Sequence, residues 1–252
     1  MRGQEMEAWV LVYDDTKVEW DAVPPSLDTK LHKLKARRVN IHDVSIGSDA
    51  SWILTYHSGQ LEGMHSFNSS YEESSVDLED LWDLLEEEDK GLNRKGHYVQ
   101  DIAFTPEMDW VLIYDDYHAL WKNINVDLQA TIMQLYKKKE KIRDLAFSQE
   151  GAWVLVSGTN KIYTSKDPGL PKKLIKTLGE LQEKNHQINH IEFHHINEGW
   201  LVVYDKNLTM WENIPDSLGQ RLKELSNSSH TIQEITLWGL PDLPIDGKIR
   251  SD

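Results

Sequence analysis

Residues 109–122, DWVLIYDDYHALWK, decide the fold. Five residues that begin with Trp110 are β-branched, aliphatic or aromatic. Turn formers Asp115 and Asp116 follow, and then a second short run ends in Trp121. That pattern predicts a β-hairpin. The same grammar recurs in AWVLVYDD from residue 8, SWILTYHS from 51, AWVLVSGT from 152 and GWLVVYDK from 199, with second strands KVEW, QLEGM, KIYTS and LTMW. Trp9, Trp52, Trp110, Trp153 and Trp200 therefore share one register.

Each hairpin is followed by apolar residues at i, i+4 and i+7: Leu27/Leu31/Leu34, Leu78/Trp82/Leu85, Leu128/Ile132/Leu135, Leu174/Leu178/Leu181 and Leu218/Leu222/Leu225. This is the stripe of an amphipathic helix of about three turns. Pro24-Pro25-Ser26, Pro171 and Pro215-Asp216 mark helix starts. Beyond each stripe the chain reads Φ-x-x-Φ-x-Φ, where Φ is apolar: Ile41/Val44/Ile46, Val99/Ile102/Phe104, Ile142/Leu145/Phe147, Ile188/Ile191/Phe193 and Ile232/Ile235/Leu237. A third strand is expected there.

Five copies of a β-β-α-β unit near the propeller period predict a mainly β fold with helices, specifically a five-bladed β-propeller. Each blade would have three strands plus one helix. The chain opens on a Trp strand and ends on a third strand, so the ring would be closed by the C-terminal strand pairing with the N-terminal strand. The repeats would span about 8–50, 51–108, 109–151, 152–198 and 199–240. These form a single domain over 1–240, with an acidic insertion at 68–97 and a C-terminal tail at 241–252. The strand, turn, Trp-strand order resembles WD40-type blades, although the WD dipeptide and GH signature are absent. Five Trp-bearing repeats are similar to tachylectin-like propellers. The resemblance implies a propeller fold and carries over no sugar-binding residue. The five register tryptophans are expected in the core, where each would remove about 150–250 Å² from water, roughly 4–6 kcal/mol by area.

Charge narrows the functional classes. The 252 residues carry 42 acidic and 27 basic side chains, a net −15, with no cysteine. That balance argues against a general nucleic-acid binder, and the lack of thiols excludes disulfides and Cys-ligated metals. No apolar run reaches membrane-spanning length, and a soluble, cytoplasmic, monomeric ring is expected. No GxSxG, HExxH, P-loop or GxGxxG motif is present, so no catalytic residue, metal or cofactor is assigned. Asp-Asp recurs at only two hairpin tips, which opposes a symmetric metal site. His190 and His194 would stand about 13 Å apart on a strand, too far to share an ion.

The expected function is a non-catalytic protein-interaction scaffold or regulatory module. Hairpin tips Asp14, Asp15, Asp115 and Asp116, with Lys137, Lys138 and Lys139 beyond a helix end, would form a charged loop face. Residues 72–89 hold ten carboxylates and no Lys or Arg. Glu72, Glu73, Asp80, Asp83, Glu86, Glu87 and Glu88 form an acidic arm suited to another protein with a basic patch. Alternatives are a carbohydrate-binding lectin using Trp20, Trp121 and Trp211 as stacking platforms, and a glycoside hydrolase with a carboxylate pair.

Overall fold

The computed structural model describes residues 6–48, 50–58, 61–68, 81, 97–194 and 197–240. The acidic arm of the sequence reading lies outside them, apart from Leu81. In chain order the elements are β1 (Met6–Tyr13), β2 (Lys17–Asp21), α1 (Pro25–Arg37), β3 (Asn40–Ile46), β4 (Trp52–Ser58), β5 (Leu61–Asn68), β6 (Val99–Phe104), β7 (Trp110–Tyr114) and β8 (His118–Lys122). There follow α2 (Val126–Lys138), β9 (Ile142–Phe147), β10 (Trp153–Ser157), β11 (Ile162–Thr164), α3 (Lys172–Glu183), β12 (Ile188–Phe193), β13 (Trp200–Tyr204), β14 (Leu208–Glu212), α4 (Asp216–Ser226) and β15 (Ile232–Leu240).

The strands form five separate antiparallel sheets of three: β15-β1-β2, β3-β4-β5, β6-β7-β8, β9-β10-β11 and β12-β13-β14. This corrects the five-bladed propeller expected from the repeat. None of the sheets is closed or curled on itself, and every backbone ladder stops at its own outer strand. The physical reason is that a helix or a long connection separates each outer strand from the next sheet, so neighbouring sheets meet through side chains. The pairing of β15 with β1, Trp9 opposite Leu237, completes one sheet from both ends of the described chain without closing a sheet on itself. The strands first in line in each sheet lie together: β15 against β3, β3 against β6, β6 against β9, β9 against β12, and β12 against β15.

Packing explains the uniform burial of the middle strands. Side chains alternate along a strand, and the two sides of β1 enter different cores. Ala8, Val10 and Val12 pack with Leu27, Leu31 and Leu34 of α1 and with Trp52 and Leu54 of β4. Trp9, Leu11 and Tyr13 pack with Leu218, Leu222 and Leu225 of α4 and with Leu201 and Val203 of β13. Likewise β10 gives Trp153 and Leu155 to the core of α2, and Val154 and Val156 to that of α3. Each of the four described helix stripes is thus seated between two sheets, and Trp9, Trp52, Trp110, Trp153 and Trp200 are all buried. Among the described residues no helix is long and apolar enough to cross a membrane.

The Φ-x-x-Φ-x-Φ motif has a backbone cause. In all five sheets the cross-strand register of the first strand skips one residue: His42, Gln100, Arg143, Asn189 and Gln233. The extra residue explains the two-residue gap, and such bulges re-aim the side chain that follows. That next side chain is Asp43, Asp101, Asp144, His190 or Glu234.

Candidate functional site

Asp43, Asp101, His190 and Glu234 line a central cavity of about 40 Å³ with Glu192, Ser45, Thr236 and neighbouring apolar groups, and Asp144 lies beside it, bonded to His190. The polar groups stitch one sheet to the next where backbone ladders are missing. Asp101 accepts the Leu145 N–H at 3.2 Å, Asp144 accepts the Ile191 N–H at 2.9 Å and Glu192 accepts the Leu237 N–H at 3.1 Å. Asp43 accepts the Ile102 N–H, and the Thr236 hydroxyl donates to the Val44 carbonyl. The bulge residues Gln100 and Arg143 add bonds to the Ile142 and Ile188 carbonyls, both at 2.8 Å.

Protonation follows from the geometry. His190 Nδ1 meets Asp144 Oδ1 at 2.8 Å, and Nε2 meets the Ile235 carbonyl at 2.7 Å and Glu234 Oε1 at 3.3 Å. Acceptors on both nitrogens require the imidazolium. Burial opposes that charge, but Glu234 and Asp144 outweigh it and hold His190 well above its ordinary range. Ser45 Oγ lies 3.0 Å from Asp43 Oδ2 and 2.5 Å from the Ile102 carbonyl, yet it has one proton. A protonated Asp43 satisfies both contacts. Burial pushes Asp43 up to about 7 and Glu192 up to about 8, with His190 opposing both. Burial also raises Asp101 and Glu234, and neighbouring carboxylates add to the shift. Burial thus draws Asp43, Asp101 and Glu192 toward the protonated form, while the His190 imidazolium opposes that draw at each of them. Among the described residues no group of three His, Asp or Glu is arranged to hold a metal ion. A cavity of about 40 Å³ is too small to admit a sugar ring.

The sequence reading passed over this cluster. Its signal was an acid or His at the third place of every Φ-x-x-Φ-x-Φ motif. His190, which its spacing from His194 already removed from a shared metal site in favour of a surface or inter-sheet role, is the cation between β9, β12 and β15.

At the loop face the tip aspartates are turned inward. Asp14 Oδ1 accepts the Thr231 N–H at 2.9 Å and Oδ2 binds His230 Nδ1. Asp115 does the same with Tyr98 N–H at 2.9 Å and His97. Asp205 does so with Gln187 N–H at 3.1 Å and His186 at 2.8 Å. The tyrosine before each aspartate meets that histidine edge-on: Tyr13 with His230, Tyr114 with His97, Tyr204 with His186. The Thr231 amide, with Lys17 and His230, holds Asp14 down at about 2. Partial burial opposes the shift at Asp115, but the Tyr98 amide and His97 still keep it below the usual carboxylate range. Asp14, Asp15, Asp115 and Asp116 all adopt left-handed backbone, φ 50°, 63°, 47° and 71°, which Asp tolerates in turns. Asp15 pairs with Gln233, and Asp116 with Lys141 at 2.6 Å. Lys137, Lys138 and Lys139 are exposed at the end of α2.

The outer tryptophans pack against helices. Trp20 donates to Asp28 at 2.7 Å, meets His32 edge-on and lies under Lys35 at 5.0 Å. Trp121 joins the α2 core, and Trp211 packs against the α4 core with Lys223 over its ring.

The junction between hairpin tip and following helix end differs in every described case. In the third sheet Tyr117 stacks on His118 at 4.4 Å, and both meet Tyr136 of α2. In the fourth, Gln182 donates to the Asn160 carbonyl at 3.0 Å. In the fifth, Asn207 donates to the Leu225 and Ser228 carbonyls, both at 2.8 Å. In the first sheet the same junction is an open cleft of about 430 Å³, lined by Tyr13, Thr16, Lys17, Val18, Glu19, Lys35 and Arg38. Comparison with protein-family models, with curated proteins and with solved structures gives no match for this chain.

Proposed function

We propose that the chain is a non-catalytic protein-interaction module that works through its loop face. The observation that carries this reading is the contrast between a repeated frame and unrepeated junctions. The same hairpin, helix stripe and bulged strand recur, while the tip-to-helix junctions present a basic cleft, an aromatic stack beside lysines, and two amide closures. Binding residues sit on loops held by a rigid scaffold, and a face without repetition suits one partner rather than several identical ligands. The acidic stretch 72–89 adds a charge complement for a basic region of that partner.

The test is affinity capture with the full chain, compared with Lys137→Glu/Lys138→Glu/Lys139→Glu, Tyr117→Ala/Tyr136→Ala, Lys35→Glu/Arg38→Glu and a deletion of 69–94. A partner that is retained by the wild type and lost with at least one variant of unchanged melting temperature supports the module. A protein set identical across all of them overturns it.

A further inference from the structure

We propose that the cleft between the β1–β2 hairpin and the end of α1 binds an extended acidic peptide segment of a partner protein. This deepens the interaction-module reading and rests on it. The repeat register identifies what is missing there. Thr16 occupies the tip position that holds Tyr117, Asn160 and Asn207 in the other described junctions. Lys35 occupies the helix position of Tyr136 and Gln182, one residue after the buried anchors Leu34, Leu135 and Leu181. Those other tips reach the helix end; Thr16 and Lys35 leave the gap open.

The lining is cationic against the charge of the chain as a whole. Lys17, Lys35 and Arg38 face the cleft, Arg38 at the left-handed helix end with φ 52°. Glu19, the carboxylate in the lining, is already neutralised. Arg221 of α4 grips both its oxygens at 2.7 Å, and the Tyr13 hydroxyl donates to it at 2.5 Å. That bidentate pair fixes one wall of the cleft and leaves the lysines and Arg38 to meet an incoming charge. Lys17 spends part of its charge on Asp14 at 3.1 Å, so Lys35 and Arg38 carry the attraction.

The shape favours a peptide. A second cleft of about 390 Å³, lined by Trp9, Trp20 and His32, shares Glu19 and Lys35 with the first. The two make a trough that is basic near Arg38 and aromatic near Trp20. Carboxylates spaced along a chain, followed by an apolar side chain, match both ends. A nucleic acid would bring its phosphates against a protein of net charge −15.

Fluorescence anisotropy with a labelled peptide of consecutive glutamates ending in leucine tests the proposal. Wild type should bind saturably and weaken as salt rises. Lys35→Glu/Arg38→Glu should lose at least tenfold in affinity, while Lys137→Glu/Lys139→Glu at the filled junction changes it less than twofold. Thermal melts of both variants confirm folding. Equal losses from both pairs, no binding by wild type, or equal binding of a labelled oligothymidylate would each overturn the cleft assignment. Loss of a captured partner with the Lys137–Lys139 variant, but not with Lys35→Glu/Arg38→Glu, would keep the module and remove this cleft from it. An unchanged captured set with every variant would remove the module itself.

Discussion

Asp14 and Asp43 are both aspartates within reach of a histidine charge, yet they sit at opposite extremes. At the rim, Asp14 is held at about 2 by a backbone amide, a lysine and a histidine, close to water. At the centre, Asp43 is pushed up to about 7 because burial outweighs Ser45 and His190. The lesson is that the sign is set by the balance of burial against donors and nearby charge: donors win at Asp14 and burial wins at Asp43. Asp14 and Asp115 at the rim fasten loops as anions, whereas Asp43 and Glu192 at the centre are drawn toward the neutral acid.

Removing the His190 cation from the centre should give the largest effect. His190→Ala leaves Asp144 and Glu234 buried without their partner. The expected loss is about 3–5 kcal/mol in denaturant unfolding at neutral pH. His230→Ala at the rim should cost about 1 kcal/mol. Similar losses for the two would erase the distinction between centre and rim.

The pH dependence should come next. Asp43 and Glu192 have folded values raised above their unfolded ones, so the folded state holds protons that the unfolded state has released. Stability therefore falls as pH rises from about 4 through 7 and 8. His190, also raised, adds to that fall, since its contribution is complete below its unfolded value and lost as pH climbs through its folded one. Asp14 acts on the other flank: its contribution is present above about 4 and lost as pH drops through 2. Melting temperature should peak in mild acid. Asp43→Asn should be nearly neutral at pH 5 and stabilising at pH 9; a flat wild-type profile would contradict the protonated centre.

A smaller effect is expected from Asp14→Asn. It should cost about 0.5–1.5 kcal/mol at neutral pH and flatten only the acid flank. Smallest is a change outside both regions. Trp9 and Trp52 donate to Ser217 and Ser26 at helix starts, both at 3.0 Å, whereas the corresponding place before Leu174 holds Lys173. Lysine offers no acceptor, and the buried Trp200 N–H has no partner among the described residues. Lys173→Ser should gain about 0.5–1 kcal/mol in spite of losing the exposed pair with Glu212.

Helix stripes and Trp strands were legible because apolar periodicity reports burial directly. The joining of sheets was not, since a period counts repeats without stating which groups bridge them. Periodicity also treats the unlettered places of Φ-x-x-Φ-x-Φ as solvent-facing, so Asp43, Asp101, Asp144 and Glu234 passed as ordinary polar residues. A bulge, invisible in composition, turns them inward. At the tips the opposite error occurs. Asp14 and Asp115 read as available charge because their partners, His230 and His97, lie in a different connection of the chain. Lys137, Lys138 and Lys139 are exposed, as a charged helix end suggests.

The β15–β1 pairing also sets the order in which the molecule can be made. Asp14 and Thr231, 217 residues apart, share a bond at the edge of the sheet in which Trp9 meets Leu237. Four sheets draw all their strands from short, contiguous stretches or a single longer connection, so they can assemble as the ribosome advances. The first sheet cannot. Its β1–β2 hairpin waits with one edge unpaired until β15 has been made, a non-local contact with a high loop-closure cost. During that interval the apolar β1 edge is the part of the nascent chain most open to mispairing.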